Sequence, residues 1–289
     1  LRGLLRALNI EQHVGHAGVE LELNYIPVNK KNFTWKINLN LTHYKNKITY
    51  LPDEKKTTVM DGHGGYMNGS RYYGEDLPIN TWYMKRFAGL SEDGLSLWYY
   101  TDKETNEEKT TTTYSTGDFY LCGDPNPDLY GGFGTSITFH GFDLSTQFSY
   151  LVGGLTYDYG YAGMMGNPTA TSVGNRWHKD VLKAWSPENP SSTIPRWHFN
   201  DLNTTGSSDR FLIDGSYLNL QNIQVGYTLP DSWTSHLKIK NLRLYFVCDN
   251  VYYWSKRKGL DPRRSISGVG TSGKIAPFRT YSGGISLQF

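Results

Sequence analysis

Hydrophobic and polar residues alternate along this chain with a period of two. In Val19-Glu20-Leu21-Glu22-Leu23-Asn24-Tyr25 the odd positions are apolar and the even ones polar. Phe33, Trp35, Ile37, Leu39 and Leu41 oppose Thr34, Lys36, Asn38, Asn40 and Thr42. Phe142, Leu144, Phe148 and Tyr150 oppose Asp143, Ser145, Gln147 and Ser149, and Leu242, Leu244, Phe246 and Cys248 oppose Arg243, Tyr245 and Asp249. The last segment sets Tyr281, Gly283, Ile285, Leu287 and Phe289 against Thr280, Ser282, Gly284, Ser286 and Gln288. Successive side chains of a strand point to opposite faces, so each segment predicts a strand with one apolar and one wet face. Between Tyr217 and Leu229 the phase slips: Leu218 and Leu220 lie in one register, Ile223, Val225 and Tyr227 in the other. A bulge near Gln221-Asn222 reconciles them, with Gly226 inside the strand and Pro230 at its end. The opening differs: Leu1, Leu4, Leu5 and Leu8 have a helix-compatible spacing, and residues 1–17 are left unassigned.

A soluble sandwich shows the same alternation, so the connections must arbitrate. Short links near 27–32, 89–94, 140–141 and 230–240 alternate with long ones near 51–78, 103–127, 153–209 and 254–278. Outer-membrane barrels have short periplasmic turns and longer extracellular loops. Counting back from a last strand that ends in the periplasm, nine strands fit this parity. Segments of about 9–12 residues also suit a tilted membrane strand better than a soluble one. The expected fold is therefore all-β: an antiparallel transmembrane β-barrel portion over residues 18–289, with long extracellular loops at those four places.

Composition decides whether a membrane is compatible with the chain. Mean hydropathy is −0.54, and no apolar run is long enough for a membrane helix. A barrel shows lipid only every second side chain, so its mean hydropathy stays low. Aromatic residues reach 15%, with 22 Tyr, 12 Phe and 8 Trp, which fits interfacial girdles or sugar-stacking surfaces. Net charge is +2, and Lys256-Arg257-Lys258 with Arg263-Arg264 is too short a basic run for a nucleic-acid stripe. Cys122 and Cys248 lie far apart with no metal-ligand spacing around them, and read as small, partly buried residues. Leu1 is neither an initiator nor the start of an export leader, so the chain is expected to be a piece of a longer protein.

The search for reactive chemistry ends without a constellation. His13 and His16 lack the Glu of a zinc motif, and Asp201, Asp209 and Asp214 are spaced too widely for a calcium loop. Gly62, Gly64 and Gly65 are followed by no Lys-Ser/Thr, and Gly131-Gly132 with Gly134 sits outside a strand–helix turn. Glu20 and Glu22 share one strand face and read as polar lumen lining, although a glycosidase pair needs only two carboxylates across a cleft. The expectation is no enzyme, no metal and no cofactor. The 153–209 loop is the most informative non-strand region. It carries Tyr157, Tyr159, Tyr161, Trp177, Trp185 and Trp197, stiffened by Pro187, Pro190 and Pro195. Val181, Leu182 and Trp185 predict a short helix over 177–185. These aromatics either face a ligand or partner, or pack the loop against itself. Arg257 and Arg263, with Asn126 and Asp128, are further contact candidates.

Several ordered strings resemble SusC/RagA-like TonB-linked outer-membrane transporters. Gly123-Asp124-Pro125-Asn126-Pro127-Asp128-Leu129-Tyr130-Gly131-Gly132-Phe133 is similar to a strand entry of that family, followed by Gly141-Phe142-Asp143-Leu144-Ser145. The run from Tyr217 to Pro230, then Leu242-Arg243-Leu244-Tyr245, Asp249-Asn250-Val251 and Lys258-Gly259-Leu260-Asp261-Pro262, continue it. Phe33-Thr34-Trp35, Asn38-Leu39-Asn40 and Asn46-Lys47 extend it upstream, while Leu1–His16 departs from it. The resemblance implies the last nine strands of a 22-stranded barrel whose lumen is plugged, set in the outer membrane of a Gram-negative bacterium. It implies import of glycans, or alternatively peptides, with a SusD-like lipoprotein and the TonB–ExbB–ExbD complex as partners. Phe289, Leu287 and Ile285 are the expected assembly and closure residues. A passive porin or adhesin barrel and a soluble carbohydrate-binding or hydrolytic β-protein are the competing readings.

Overall fold

The computed structural model describes residues 13–170, 174–201, 203, 206–234, 236, 238–257, 260–261, 263, 267–269 and 277–289. The helix-compatible leucines at 1–8 therefore lie outside the described residues, as do Lys258, Gly259, Pro262 and Arg264; His13–Ala17 are strand. The chain opens with the long hairpin β1 (His13–Lys30) and β2 (Phe33–Tyr50). Eight short strands follow: β3 (Thr58–Met60), β4 (His63–Asn68), β5 (Arg71–Gly74), β6 (Thr81–Lys85), β7 (Phe87–Leu90), β8 (Ser96–Thr101), β9 (Glu108–Thr111) and β10 (Phe119–Leu121). Long strands return as β11 (Leu129–Phe139) and β12 (Phe142–Val152). The next link holds β13 (Leu155–Tyr157), helix α1 (Tyr159–Met164) and β14 (Leu212–Asp214). Last come β15 (Tyr217–Thr228), helix α2 (Asp231–Thr234), β16 (Asn241–Ser255) and β17 (Thr280–Gln288).

The long strands form one antiparallel sheet of seven in the order β1-β2-β11-β12-β15-β16-β17. Its register keeps the two sequence phases on separate faces. One row runs Leu23, Leu39, Phe133, Phe148, Leu220, Tyr252 across six strands. Its neighbour on the opposite face runs Asn24, Asn38, Gly134, Gln147, Asn222, Asp249, Thr280 across all seven. Asn222 Nδ2 donates to Asp249 Oδ1 at 2.6 Å within that polar row. A one-residue slip in any strand would exchange the faces. The slip in the β15 sequence is absorbed at Gln221, as its phase change predicts: Leu220 pairs with Phe148 and Asn222 with Gln147, leaving Gln221 extra. Leu218, Leu220, Ile223, Val225 and Tyr227 thereby share the apolar face.

That face ends in aromatic bands. Phe33, Phe139, Phe142 and Tyr227 come from four consecutive strands at the end of the sheet with the short turns, with ring centroids 6.2 Å apart for Phe33–Phe139 and 4.3 Å for Phe142–Tyr227. Tyr252 and Trp254 stand near the other end, both half exposed. Water does not favour so much apolar surface on a continuous sheet, whereas lipid does. His140 (φ 46°) and Gly141 (φ 86°) make the tight turn between β11 and β12 with both central residues left-handed, the geometry that matches strand twist.

Alternation and link lengths predict nine wall strands; among the described residues the sheet has seven. The two crossings expected between residues 78 and 103 are β6, β7 and β8, which lie in small sheets away from the wall. None exceeds six residues, too short to span a membrane. Period two reports one buried face and does not distinguish a protein core from lipid: in β8 Ser96 and Trp98 are buried inside the small-sheet layer. Removing two strands and the turn between them leaves the parity of the remaining links intact. Residues 51–128 are one folded link, and the described residues of 153–216 and 256–279 join it at the same end of the wall. Together they form an outer cap with the core Trp82, Met84, Tyr157, Met165 and Phe211. β2 runs up into the cap, where Ile48 exchanges backbone hydrogen bonds with Leu77 and Asp76.

Ile223→Arg, mid-strand on the apolar face, is expected to destabilise the folded full-length protein in lipid vesicles by roughly 2–4 kcal/mol. Gln224→Arg on the polar face should stay within about 1 kcal/mol of wild type. Urea titration in vesicles measures both, and equal losses would refute the assignment of faces.

Candidate functional site at the outer mouth of the wall

Along the middle of the polar face the side chains are small or amide-bearing: Asn38, Asn40, Gly132, Gly134, Ser145, Gln147 and Gln224. Toward the cap the same phase turns aromatic. Tyr44 of β2, Tyr130 of β11, Tyr217 of β15 and Tyr253 of β16 all stand on the polar face within a few residues of the outer strand ends. Tyr44 and Tyr130 meet edge to face at 5.9 Å. These two and Tyr217 line a cavity of about 360 Å³ whose roof is the backbone at Gly153, Gly154 and Gly215 and whose rim carries Arg263. Arg263 and Tyr217 also border the adjoining hollow lined by Asn219, Gln221, Asp249 and Asn250.

Arg263 is held rather than free. Its Nε and Nη2 donate to the two carboxylate oxygens of Asp261, both at 2.7 Å, and Nη1 donates to Asn219 Oδ1 at 2.7 Å. The guanidinium lies 4.8 Å from the Tyr253 ring. This clamp fixes the last long link to the wall, and Asp261 keeps the guanidinium firmly protonated. Arg257 makes the corresponding tie to the cap. It pairs with Asp158 at 3.1 Å and lies 3.6 Å over the Tyr161 ring. Asp158 also caps α1 by accepting from Tyr161 N at 2.9 Å. Tyr161 Oη donates to Asp180 Oδ2, and Lys183 with Tyr161 holds that carboxyl below its usual range.

The loop aromatics divide by packing. Tyr157 is buried in the cap core between Trp82, Tyr159 and Phe211, so its ring offers no face to a ligand. Tyr161 is enclosed by Arg257 and His178. Trp185 lies against Gly94, where any Cβ would collide with the indole. Trp177 and Trp197 meet edge to face, and both indole N–H groups donate to Gly166 O. Tyr159 and Trp197 keep exposed surface. The short helix expected over 177–185 is a 3₁₀ segment, Lys179–Lys183, capped by His178. Asn126 accepts from Asn46 Nδ2 at 2.7 Å and serves as a joint between wall and cap. Cys122 and Cys248 are both free thiols, one in the cap and one on the apolar wall face. Among the described residues no three His, Cys, Asp or Glu side chains converge on a point.

Comparison with known proteins agrees with this architecture. TonB-dependent receptor P3 of Formosa agariphila is 28% identical over 96% of this chain and 29% of its own length. TonB-dependent receptor SusC of Bacteroides thetaiotaomicron is 26% identical over 94% of this chain and 26% of its own length. Among solved structures, that of the RagAB peptide transporter superposes with a TM-score of 0.79 at 23% identity, over 96% of this chain and 29% of that one. The chain is similar to SusC/RagA-like transporters along nearly its whole length. No protein-family model matches it. It spans under a third of the length of these relatives.

In this SusC/RagA-like wall, the tyrosines at the outer strand ends were not singled out from sequence as contact residues, although a signal was present. Tyr44, Tyr130, Tyr217 and Tyr253 are aromatic residues in the polar phase of alternating segments, where a lipid girdle cannot use them.

Two outcomes follow. Arg257→Met leaves the nearly buried Asp158 carboxylate without its cation, which should weaken docking of the 153–216 link by about 1–3 kcal/mol. Limited chymotrypsin digestion should then cut within 153–216 while the wall strands stay protected. Burial pushes the Cys122 thiol up to about 11, so at pH 8 its thiolate fraction falls roughly a hundredfold below that of an ordinary cysteine. Iodoacetamide labelling followed by mass spectrometry should find Cys122 slow in the folded protein and fast in urea.

Proposed function

We propose that this chain is the C-terminal wall segment of an outer-membrane nutrient importer in a Gram-negative bacterium. The importer is energised through TonB–ExbB–ExbD, works with a SusD-like surface lipoprotein and takes up oligosaccharides. The observation that carries this reading is the two-faced wall: a mainly apolar outer face, a mainly polar inner face, and a folded cap on one end. Names of the relatives, TonB-dependent receptors among them, support it. The cap end is extracellular in this reading, and the short turns are periplasmic.

Nothing in such a role requires a bond to be broken. The continuous pairing of the wall strands supplies a rigid side to the conduit. The Arg257–Asp158 and Arg263–Asn219 ties hold the outer links in place over the lumen. Tyr159 and Trp197, two of the loop aromatics with open surface beside Phe199, are the contacts offered to ligand or lid. Ile285 and Leu287 lie on the apolar face opposite Leu244 and Leu242, and with Phe289 they present an exposed apolar end to lipid and to the assembly machinery. Peptide import is the second reading, favoured by the RagAB peptide transporter among the structural neighbours. At that identity the likeness speaks for the fold, and the aromatic lumen rim favours sugar.

The test is uptake by cells expressing the full-length transporter with its partner lipoprotein, with and without TonB. Fluorescent neutral oligosaccharides should accumulate only when TonB is present. Uptake indifferent to TonB would establish a passive pore, and accumulation of labelled peptides alone would establish the second reading.

A further inference from the structure

The apolar face of the wall changes character just below the cap. Register places Leu39, Phe133, Phe148, Leu220 and Tyr252 in one row and Leu41, Gly131, Tyr150, Leu218 and Trp254 in the next. Tyr150 Oη donates to Asn40 O at 3.1 Å, and a Cβ at Gly131 would collide with that hydroxyl. The Tyr150 ring therefore reaches across the glycine and floors a shallow trough of about 570 Å³. Phe133, Val152, Leu218 and Trp254 border it, and Lys256 stands at its outer end. Beside it, Arg279 precedes β17 in the same outward phase as Tyr281, whose hydroxyl lies 3.5 Å from the guanidinium. We propose that this trough is a docking site for a phosphorylated, multiply acylated glycolipid of the outer leaflet, chemically a lipid A. Acyl chain lies along the trough while Lys256 and Arg279 hold phosphate. The proposal rests on the outer-membrane orientation given above, in which the cap end is extracellular.

Charge selects this occupant over others. Both cations are exposed on the lipid-facing side. Among the described residues neither forms an ion pair: Arg279 donates to Val251 O and Tyr281 Oη, both uncharged. Asp214 feels the charge of Lys256, but its carboxylate is already bonded by Ser216 through N and Oγ. A guanidinium and an ammonium with spare donors suit the oxygens of a phosphate monoester. A zwitterionic phospholipid carries its own ammonium and has less need of two more. A second copy of the chain seated face to face would bring the same cations against each other, which like charge disfavours. Tyr252 and Trp254, 4.8 Å apart, mark the height at which hydrocarbon gives way to headgroups, and Lys256 lies two residues beyond.

The experiment titrates the full-length transporter, delipidated in detergent, and counts bound lipid by native mass spectrometry. The probes are bis-phosphorylated lipid A, the same lipid without phosphates, and phosphatidylethanolamine. Wild type should prefer phosphorylated lipid A to both others by roughly tenfold or more, two cations each contributing about fivefold. Lys256→Gln and Arg279→Gln should each weaken lipid A binding roughly fivefold and leave phosphatidylethanolamine unchanged. Arg279→Lys should recover most of the loss. Lys103→Gln, at an exposed lysine of the β8–β9 turn, should stay within about twofold of wild type. Lys256→Gln alters only an exposed side chain and serves if the Arg279 variant does not assemble, with heat-modifiable gel migration confirming the folded barrel. Equal binding of all three lipids would reduce the trough to ordinary lipid contact and overturn the proposal. Undiminished lipid A binding in both glutamine variants would also overturn it, as would a dimer that excludes lipid from this face. Recovery of the full-length protein with soluble proteins after cell fractionation would instead mark failure of the outer-membrane reading itself.

Discussion

A polypeptide in hydrocarbon can satisfy its amide groups only with its own neighbours, and the pairing register of the seven wall strands is the interaction on which the rest of this chain depends. Because side chains alternate, register and facing are a single variable. If β15 paired one residue out of step, Ile223, Val225 and Tyr227 would turn toward the polar side and Gln224 toward lipid. The extra residue at Gln221 prevents this by resetting the phase midway, and the shift appears on both of its neighbours, β12 and β16. A local irregularity thus preserves a global regularity. The same register decides which tyrosines meet lipid and which meet the lumen.

The cap solves a different problem with the same alternation. It must hold long links in place without a membrane to press on them. Its buried cations show how this is done. Arg71 lies 3.1 Å over the Trp82 ring and donates to the carbonyls of Asn80 and Ser267, and Lys85 Nζ donates to those of Tyr114, Ser115 and Gly117. Arg210 sits between the Phe87 and Phe211 rings. Burial lowers Arg71 and Arg210 to about 10, so both stay charged at neutral pH. Each cation spans segments distant in sequence and is held by aromatic faces or carbonyl oxygens. These bridges join 51–128, 153–216 and 267–268 into one layer, and Arg263 and Arg257 then fasten that layer to the wall and to itself.

Much of this was legible in the residues. The strands of the wall, their faces, the bulge and the placement of long links at one end follow from periodicity and link length, because both are imposed locally by the pleat and by the topology of a barrel. The strands at 78–103 were misplaced for an equally physical reason. A buried face is apolar whether its neighbour is lipid or Tyr157, and only length separates the cases: β6 with five residues cannot cross. The aromatics of the 153–209 link were read as either ligand contacts or internal packing, and sequence could not divide them. For some the deciding partner lies more than sixty residues away, as Gly94 does for Trp185 and Trp82 for Tyr157. Such contacts leave no local periodic trace.

The abundance of tyrosine and tryptophan therefore has no single explanation. Phase and height along the strand assign each residue its task. In the apolar phase at the strand ends an aromatic ring meets the membrane interface, as Tyr227 and Trp254 do. Within the cap it fills a core or carries a cation, as Trp82 does. In the polar phase at the outer end neither need applies, since lipid lies behind the strand and the cap core lies above it. Rings such as Tyr44, Tyr130 and Tyr217 line a cavity between wall and cap, where Tyr44 and Tyr130 meet edge to face. Composition alone cannot assign these residues; phase separates the rings that meet lipid from those that line the polar face.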